Sequence, residues 1–338
     1  MVQEQDWIEV VTAATRAPSI HNTQPWRFVA RADRLELHLD PERSLPVLDP
    51  SGRQQVISCG SALEFAVVAL GARGETTDVD LLPDPGAPAH LATVRLGGPA
   101  TSPDAGSLAG AIARRHTVRA PFEPRAVPAD LLDRLRTEAA SFGTWFTAIT
   151  RSEEEVATVF LISRAEELEQ GDAGYRAELK RWLRTDPGAE DGVPIGAVPE
   201  GDPQERASNW LIRDFVVGHR EEHLFRAAGD PTAPPPEVER PAVVLLGTQE
   251  DDRAAWLRAG RALGRVLLRA TEAGLVASPL TQALDWPATR TRLQQRLSLV
   301  GHPQMLLRLG YPRAADAGAG AVRSGRRPVR EVLRIEGA

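Results

Sequence analysis

Apolar residues recur at helical spacing near the start of the chain, at Trp7, Ile8, Val10, Val11 and Ala14, and predict an amphipathic helix. A shorter apolar run, Trp26, Phe28 and Val29, reads as a strand. Between them lies Ala17-Pro18-Ser19-Ile20-His21-Asn22-Thr23-Gln24-Pro25, a turn stiffened by two prolines and lined by the short polar side chains of Ser19, Asn22 and Gln24. Polar groups held in fixed directions suit the edge of a planar polar ligand. The structural alternative is a helix stop followed by a capped strand. Further along, the spacing predicts helices over residues 108–114, 131–140, 153–170, 175–183 and 210–227, and strands over 145–150 and 242–246. Residues 185–204 hold four prolines and four glycines and read as a loop or cover, as does the proline-rich stretch 230–236. Helices outnumber strands and the strands look buried, so the expected class is α+β, with sheets covered by helices.

The pattern repeats. Gly60-Ser61-Ala62-Leu63 and Gly260-Arg261-Ala262-Leu263 share Gly, Ala and Leu at the same relative positions, and Gly74 matches Gly274. Each helical segment leads to a strand ending in Arg-Leu-Gly, at residues 95–97 and 308–310. A helix and strand with matched endings, found twice, predicts duplication and fusion; chance likeness of Ala/Leu-rich helices is the weaker reading. The Gly/Pro/Ser-rich stretch 97–106 is the expected junction, giving halves at 1–98 and 107–338, with a lid-like loop within 185–236.

Composition narrows the classes. The chain has 338 residues, ordinary apolar content and a net charge of −6, which argues against a general binder of nucleic acid or anionic membrane. No continuous apolar run approaches the roughly 20 residues that span a bilayer, and no signal peptide is visible, so a cytoplasmic protein is expected. The sole cysteine, Cys59, excludes an internal disulfide and reads as a buried thiol at the head of an apolar helix. His21, His116 and His302 form no metal-ligand spacing, and no metal is assigned.

Arg115, Thr117 and Arg119 alternate just after a helix, so in an extended turn all three could face one phosphate. By spacing alone, a solvated basic patch at a helix C-terminus is an equal reading. No Gly-x-Gly-x-x-Gly follows a strand, which leaves a Rossmann dinucleotide site unsupported.

The Pro18-Ser19-Ile20-His21-Asn22-Thr23-Gln24-Pro25-Trp26 string resembles the Pro-Ser-x-x-Asn-x-Gln-Pro-Trp segment of the nitroreductase family of FMN flavoproteins. The resemblance implies a nitroreductase-like fold and places Pro18, Ser19, Asn22 and Gln24 near the flavin. It makes Arg115, Thr117 and Arg119 the phosphate grip, completed near the C-terminus by Arg326, with Arg327 as the second choice. It also brings Pro279, Leu280, Thr281 and Gln282 beneath the flavin, with the amides of Thr281 and Gln282 near N5; the family's usual Gly is Gln282 here. Family members are homodimers with interfacial flavins, so two fused halves imply a pseudo-dimer in one chain, monomeric or homodimeric, with one complete site. The implied activity is NAD(P)H-dependent ping-pong hydride transfer to a small-molecule acceptor, a nitroaromatic or quinone. The two-half layout and the stretch 49–63 also resemble the Acg-type branch, whose members are thought to cover the flavin. A flavin-sequestering protein with little reductase activity is therefore the rival expectation. A specialised biosynthetic oxidase or dehydrogenase is a third.

Overall fold

The computed structural model describes residues 3–99, 104–197, 208, 210, 238–317 and 322–336. The predicted helix at 210–227, the loop at 230–236 and most of the lid-like stretch therefore lie outside the described residues, apart from 185–197, 208 and 210.

The first helix, α1 (Glu4–Ala14), opens on a reciprocal box between Gln3 and Asp6 and buries Trp7, Val10, Val11 and Ala14. Strands β1 (Trp26–Ala30) and β2 (Arg34–Leu39) follow as an antiparallel pair. Helix α2 (Arg53–Ala72) leads to β3 (Glu75–Leu81) and β4 (His90–Pro99). Helices α3 (Ala105–Arg114) and α4 (Ala129–Ala140), β5 (Trp145–Ile149), α5 (Ser152–Gly171) and α6 (Ala173–Arg181) match the expected elements to within a few residues. Two short strands, β6 (Leu183–Arg184) and β7 (Val193–Pro194), bracket a tight loop. The remainder comprises β8 (Ala242–Thr248), α7 (Arg253–Glu272), β9 (Val276–Pro279), α8 (Gln282–Asp285), α9 (Pro287–Arg296), β10 (His302–Gly310), α10 (Val329–Val332) and β11 (Leu333–Ile335).

Two sheets result, in the orders β11-β1-β2-β4-β3 and β5-β8-β10-β9. The first buries alternate residues, such as Leu35 and Leu37 of β2, and packs one face on α1, α2 and α3. In the second, β8 and β10 are buried almost continuously, because α4 and α7 cover one face while α5, α8 and α9 cover the other.

Helices α2 and α7 cross at the molecule's centre. A Cβ on Gly60 would lie 2.5 Å from the Leu257 carbonyl oxygen, and one on Gly260 would lie 2.2 Å from that of Ile57. Residues 57 and 257 occupy equivalent places in the repeat, so the contact is reciprocal, as at a two-fold interface. Glu64, fully buried, takes Arg261 and Arg265 across the same crossing. The chain's last strand does not stay with the second sheet: β11 pairs in parallel with β1 at the edge of the first.

Two sequence expectations change. Helix α2 has the length and mean hydropathy (1.5) of a bilayer span, although its apolar residues are interrupted; 78% of that stretch is buried within the protein. The helix also begins at Arg53, so Cys59 sits inside it rather than at its head. The thiol donates to the Pro25 carbonyl (3.2 Å), and burial pushes it up, away from the reactive thiolate.

Candidate functional site

The polar turn is strained and tied down. His21 (φ 44°), Asn22 (φ 54°) and Gln24 (φ 51°) all occupy the left-handed region, a costly arrangement for three non-glycine residues in four positions. The surrounding contacts explain how it persists. Ser19 Oγ accepts from the Gln24 amide (3.0 Å), and Ser58 Oγ, on α2, accepts from the Ile20 amide (3.1 Å). Asn22 Nδ2 donates to the carbonyls of Gly192 and Gly325, both at 3.1 Å. Gln24 Nε2 donates to the Glu190 carbonyl (2.8 Å), while its Oε1 accepts from the Arg327 amide (2.9 Å). The turn therefore staples the 189–192 loop to the 324–327 segment.

Beside it opens a cleft. Helix α2 contributes Gln54, Ile57 and Ser58; α7 contributes Leu263 and Leu267; and β10 contributes Met305 and Leu307. Five arginines line it, Arg16, Arg115, Arg119, Arg323 and Arg326, and no aspartate or glutamate does so among the described residues. Arg115 donates to the Arg16 carbonyl (3.1 Å). Arg326 donates to Asn22 Oδ1 (3.2 Å) and to the carbonyls of Arg16 (3.2 Å) and Ala17 (3.3 Å). These acceptors are neutral, and the Nε atom of each guanidinium is buried without a partner. Burial, reinforced by Arg323 and Arg16, pushes Arg115 down to about 10. Burial together with Arg115 and Arg16 pushes Arg326 down to about 9. Arginine does not surrender its proton at neutral pH, so the strain of two crowded cations is relieved by binding an anion. Ser278, buried in the same wall, also has a hydroxyl with no partner.

Of the residues expected from sequence, Pro18, Ser19, Asn22, Arg115, Thr117, Arg119, Pro279, Thr281 and Arg326 line this one cleft. The other four do not. Gln24 is fully buried with its amide spent on the stapled segments. Leu280 is buried in the core of the second sheet, its N–H bonded to the Leu306 carbonyl (2.9 Å). The Gln282 side chain is fully buried, and neither of its polar atoms finds a partner. Arg327 turns toward Asp40 (3.4 Å), which separates it from Arg326. Arg16, Gln54, Ser58, Ser278 and Arg323 join the cleft without having been singled out in the sequence. Arg16 directly precedes the Ala-Pro-Ser string and Arg323 lies three residues before Arg326, so proximity to the motifs was the available signal.

Fold and cleft together define an α+β protein with an arginine-lined cleft that no aspartate or glutamate lines among the described residues. The chain belongs to the nitroreductase family, in its Acg-type branch, and its helix-covered sheets are a nitroreductase-like fold. Two Mycobacterium tuberculosis proteins carry the likeness. “Putative NAD(P)H nitroreductase Rv3131” is 36% identical over 305 residues, covering 89% of this chain and 84% of its own. “Putative NAD(P)H nitroreductase acg” is 33% identical over 331 residues, covering 96% of this chain and 94% of its own. No family model matches the chain. Among solved structures, the FMN-dependent nitroreductase NfnB of Mycobacterium smegmatis, in complex with NADPH, is 19% identical. That match covers 68% of this chain and 100% of that one, with a TM-score of 0.39.

Proposed function

We propose that the cleft binds FMN and that the protein is an NAD(P)H-dependent oxidoreductase of ping-pong type, with a nitroaromatic, quinone or similar small molecule as acceptor. The observation that carries this reading is the pair of cleft arginines, buried Arg115 and half-buried Arg326, whose buried Nε atoms lack partners in a cleft that no described aspartate or glutamate lines. A phosphate monoester supplies the missing charge and acceptors. Arg115, Thr117, Arg119 and Arg326 hold that phosphate, and Arg326 is preferred to Arg327 because only Arg326 lines the cleft. When bound, FMN supplies hydride chemistry at its N5. Ser19 and Asn22 fix the turn beside it. The amides of Thr281 and Gln282 open α8, where no intrahelical carbonyl can accept from them, and are proposed as donors to the ring edge. No side chain is required as acid or base, since solvent supplies protons.

In the same reading, residues 1–98 and 107–338 are two fused halves that form one complete flavin site. The reciprocal Gly60–Gly260 crossing supports this, and makes a monomer sufficient, although a homodimer is compatible with it.

A specific observation also favours the sequestering alternative. Ala197 lines the cleft, and the loop before it is fastened by Asn22 and Gln24, so the described part of the lid-like stretch is stapled rather than hinged. Mixing the purified protein with NADPH, or NADH, without oxygen separates the two readings. Bleaching of the flavin's visible absorbance by the nucleotide supports the reductase. Bleaching by dithionite alone supports sequestration. A colourless protein that takes up no added FMN overturns both.

A further inference from the structure

The outer face of the first sheet carries a cluster unrelated to the cleft. Glu36 and His38 lie two residues apart on β2 and so share a face. His90 opens β4 and pairs directly with His38 across the strands. That pairing depends on an irregularity in the ladder: Leu37 faces Ala92, so an unbroken register would set His38 opposite the buried Leu91. The bulge skips Leu91 and brings His90 beside His38, their rings stacked with centroids 4.5 Å apart. Bulges re-aim side chains in this way.

We propose that Glu36, His38 and His90 form a divalent transition-metal site, with Zn2+ as its natural occupant. One ligand atom from each of the three lies within 4.8 Å of the others, the only such grouping of at least three histidine, cysteine or acidic residues among the described residues. Two imidazoles and a carboxylate are a donor set that suits zinc, leaving a fourth position for water. His38 Nε2 lies 3.5 Å from Glu36 Oε2. Zinc bonds of about 2.0–2.2 Å at tetrahedral angles require ligand atoms roughly 3.3–3.5 Å apart, so this edge is already formed. The same His38 nitrogen is buried and faces the Glu36 carboxylate.

The carboxylate's two oxygens are divided. Glu36 Oε1 accepts from Arg31 Nε (3.1 Å) and Arg34 Nε (3.0 Å), which orient the group and keep it ionised. Oε2 is left toward the imidazoles. Thr93 Oγ1 lies 3.0 Å from His90 Nε2 and fixes that ring. Such outer partners usually accompany metal-binding histidines and carboxylates. The two arginines also weaken attraction for a cation, which favours a metal bound by strong imidazole bonds over calcium or magnesium. The site shares no residue with the arginine cleft, so it neither depends on the flavin reading nor tests it.

The test uses the full-length chain, with any affinity tag removed, stripped with chelator and dialysed against micromolar Zn2+. The expected result is one zinc per chain by elemental analysis. His38→Ala and His90→Ala should return to background, and Thr93→Val should weaken binding by about 10-fold. His302→Ala, a control outside the cluster, should retain full occupancy. Zinc-free wild type, or His38→Ala and His90→Ala chains that are folded by circular dichroism and still load fully, would overturn the site. Should those variants fail to fold, the wild type loaded with Co2+ decides. Visible bands of a four-coordinate N/O site support the assignment, and their absence rejects it.

Discussion

Arg115 and Arg326 define the residue scale, because each is cationic, has a buried Nε atom without a partner and is served only by neutral acceptors. A hydrogen bond to a charged group contributes roughly 1.5–3 kcal/mol. Arg115→Ala should therefore weaken FMN retention by about that much in a fluorescence-quenching titration. Arg327→Ala, which removes an Asp40 partner and no cleft cation, should leave FMN affinity unchanged within about 0.5 kcal/mol. The reverse ranking would exchange the two roles. Asp49 gives a second residue-scale prediction. It caps the start of α2 by accepting from the Gln55 amide (2.9 Å), and burial pushes its carboxyl up to about 6. The unfolded chain releases that proton near pH 3.9, so between the two values the folded state holds more protons. Stability from this group is thus greatest in acid and declines as pH rises through about 6. Asp49→Asn cannot ionise, so from pH ~4 to ~7 its stability relative to wild type should rise by roughly 2–3 kcal/mol in urea titrations. At this scale the sequence exposed only part of the site. Arg115, Thr117 and Arg119 stand out by alternation, whereas Gln54 and Ser58 of α2 become site residues only when distant segments meet.

Elements were more legible than their contacts. Regular apolar spacing marks α1, α4 and α7, because one face of each is buried. The start of α2 was hidden because Arg53, Gln54 and Gln55 are polar yet buried. Arg53 donates to the carbonyls of Gln304 and Leu284 (both 2.9 Å), and Gln54 to Asp285 Oδ1 (2.9 Å), contacts invisible in a local window. Strand β3 was hidden for the opposite reason: its polar sequence suits an edge. The Gly-x-Ala-Leu repeat was visible, but its purpose lies in the helix crossing. There, a methyl group on Gly60 or Gly260 meets backbone rather than a movable side chain, so the helices must separate. Gly60→Ala and Gly260→Ala should each lower stability by about 1–3 kcal/mol. Gly110→Ala is the control. It lies in α3 with open space around the added atom, and should raise stability by roughly 0.5–1 kcal/mol through helix propensity. Urea midpoints for the three variants test the crossing; equal behaviour would mean that the close approach does not constrain the fold.

At the scale of the whole molecule, the chain's end closes the structure. Strand β11 pairs Leu333 with Phe28 and Ile335 with Ala30, Val332 is buried in the first core, and Glu336 meets Arg31 at 2.8 Å. The 322–327 segment lies between β10 in the second sheet and β11 in the first, so Arg326 belongs to a span anchored at both ends. Removing residues 329–338 would release one anchor and uncover the edge of β1. Freed backbone costs roughly 1–2 kcal/mol for each residue that ligand binding must order again. The truncated protein should therefore melt at a lower temperature and hold FMN less tightly than the full chain. Its bare β1 edge offers unpaired amides and carbonyls, so it should also associate with rising concentration in sedimentation velocity. Unchanged FMN affinity in a truncated, monomeric protein would show that Asn22 and the carbonyls of Arg16 and Ala17 suffice to place Arg326 without the C-terminal strand. A loss of affinity restored by supplying residues 329–338 as a separate peptide would show instead that sheet closure sets the geometry of the cleft.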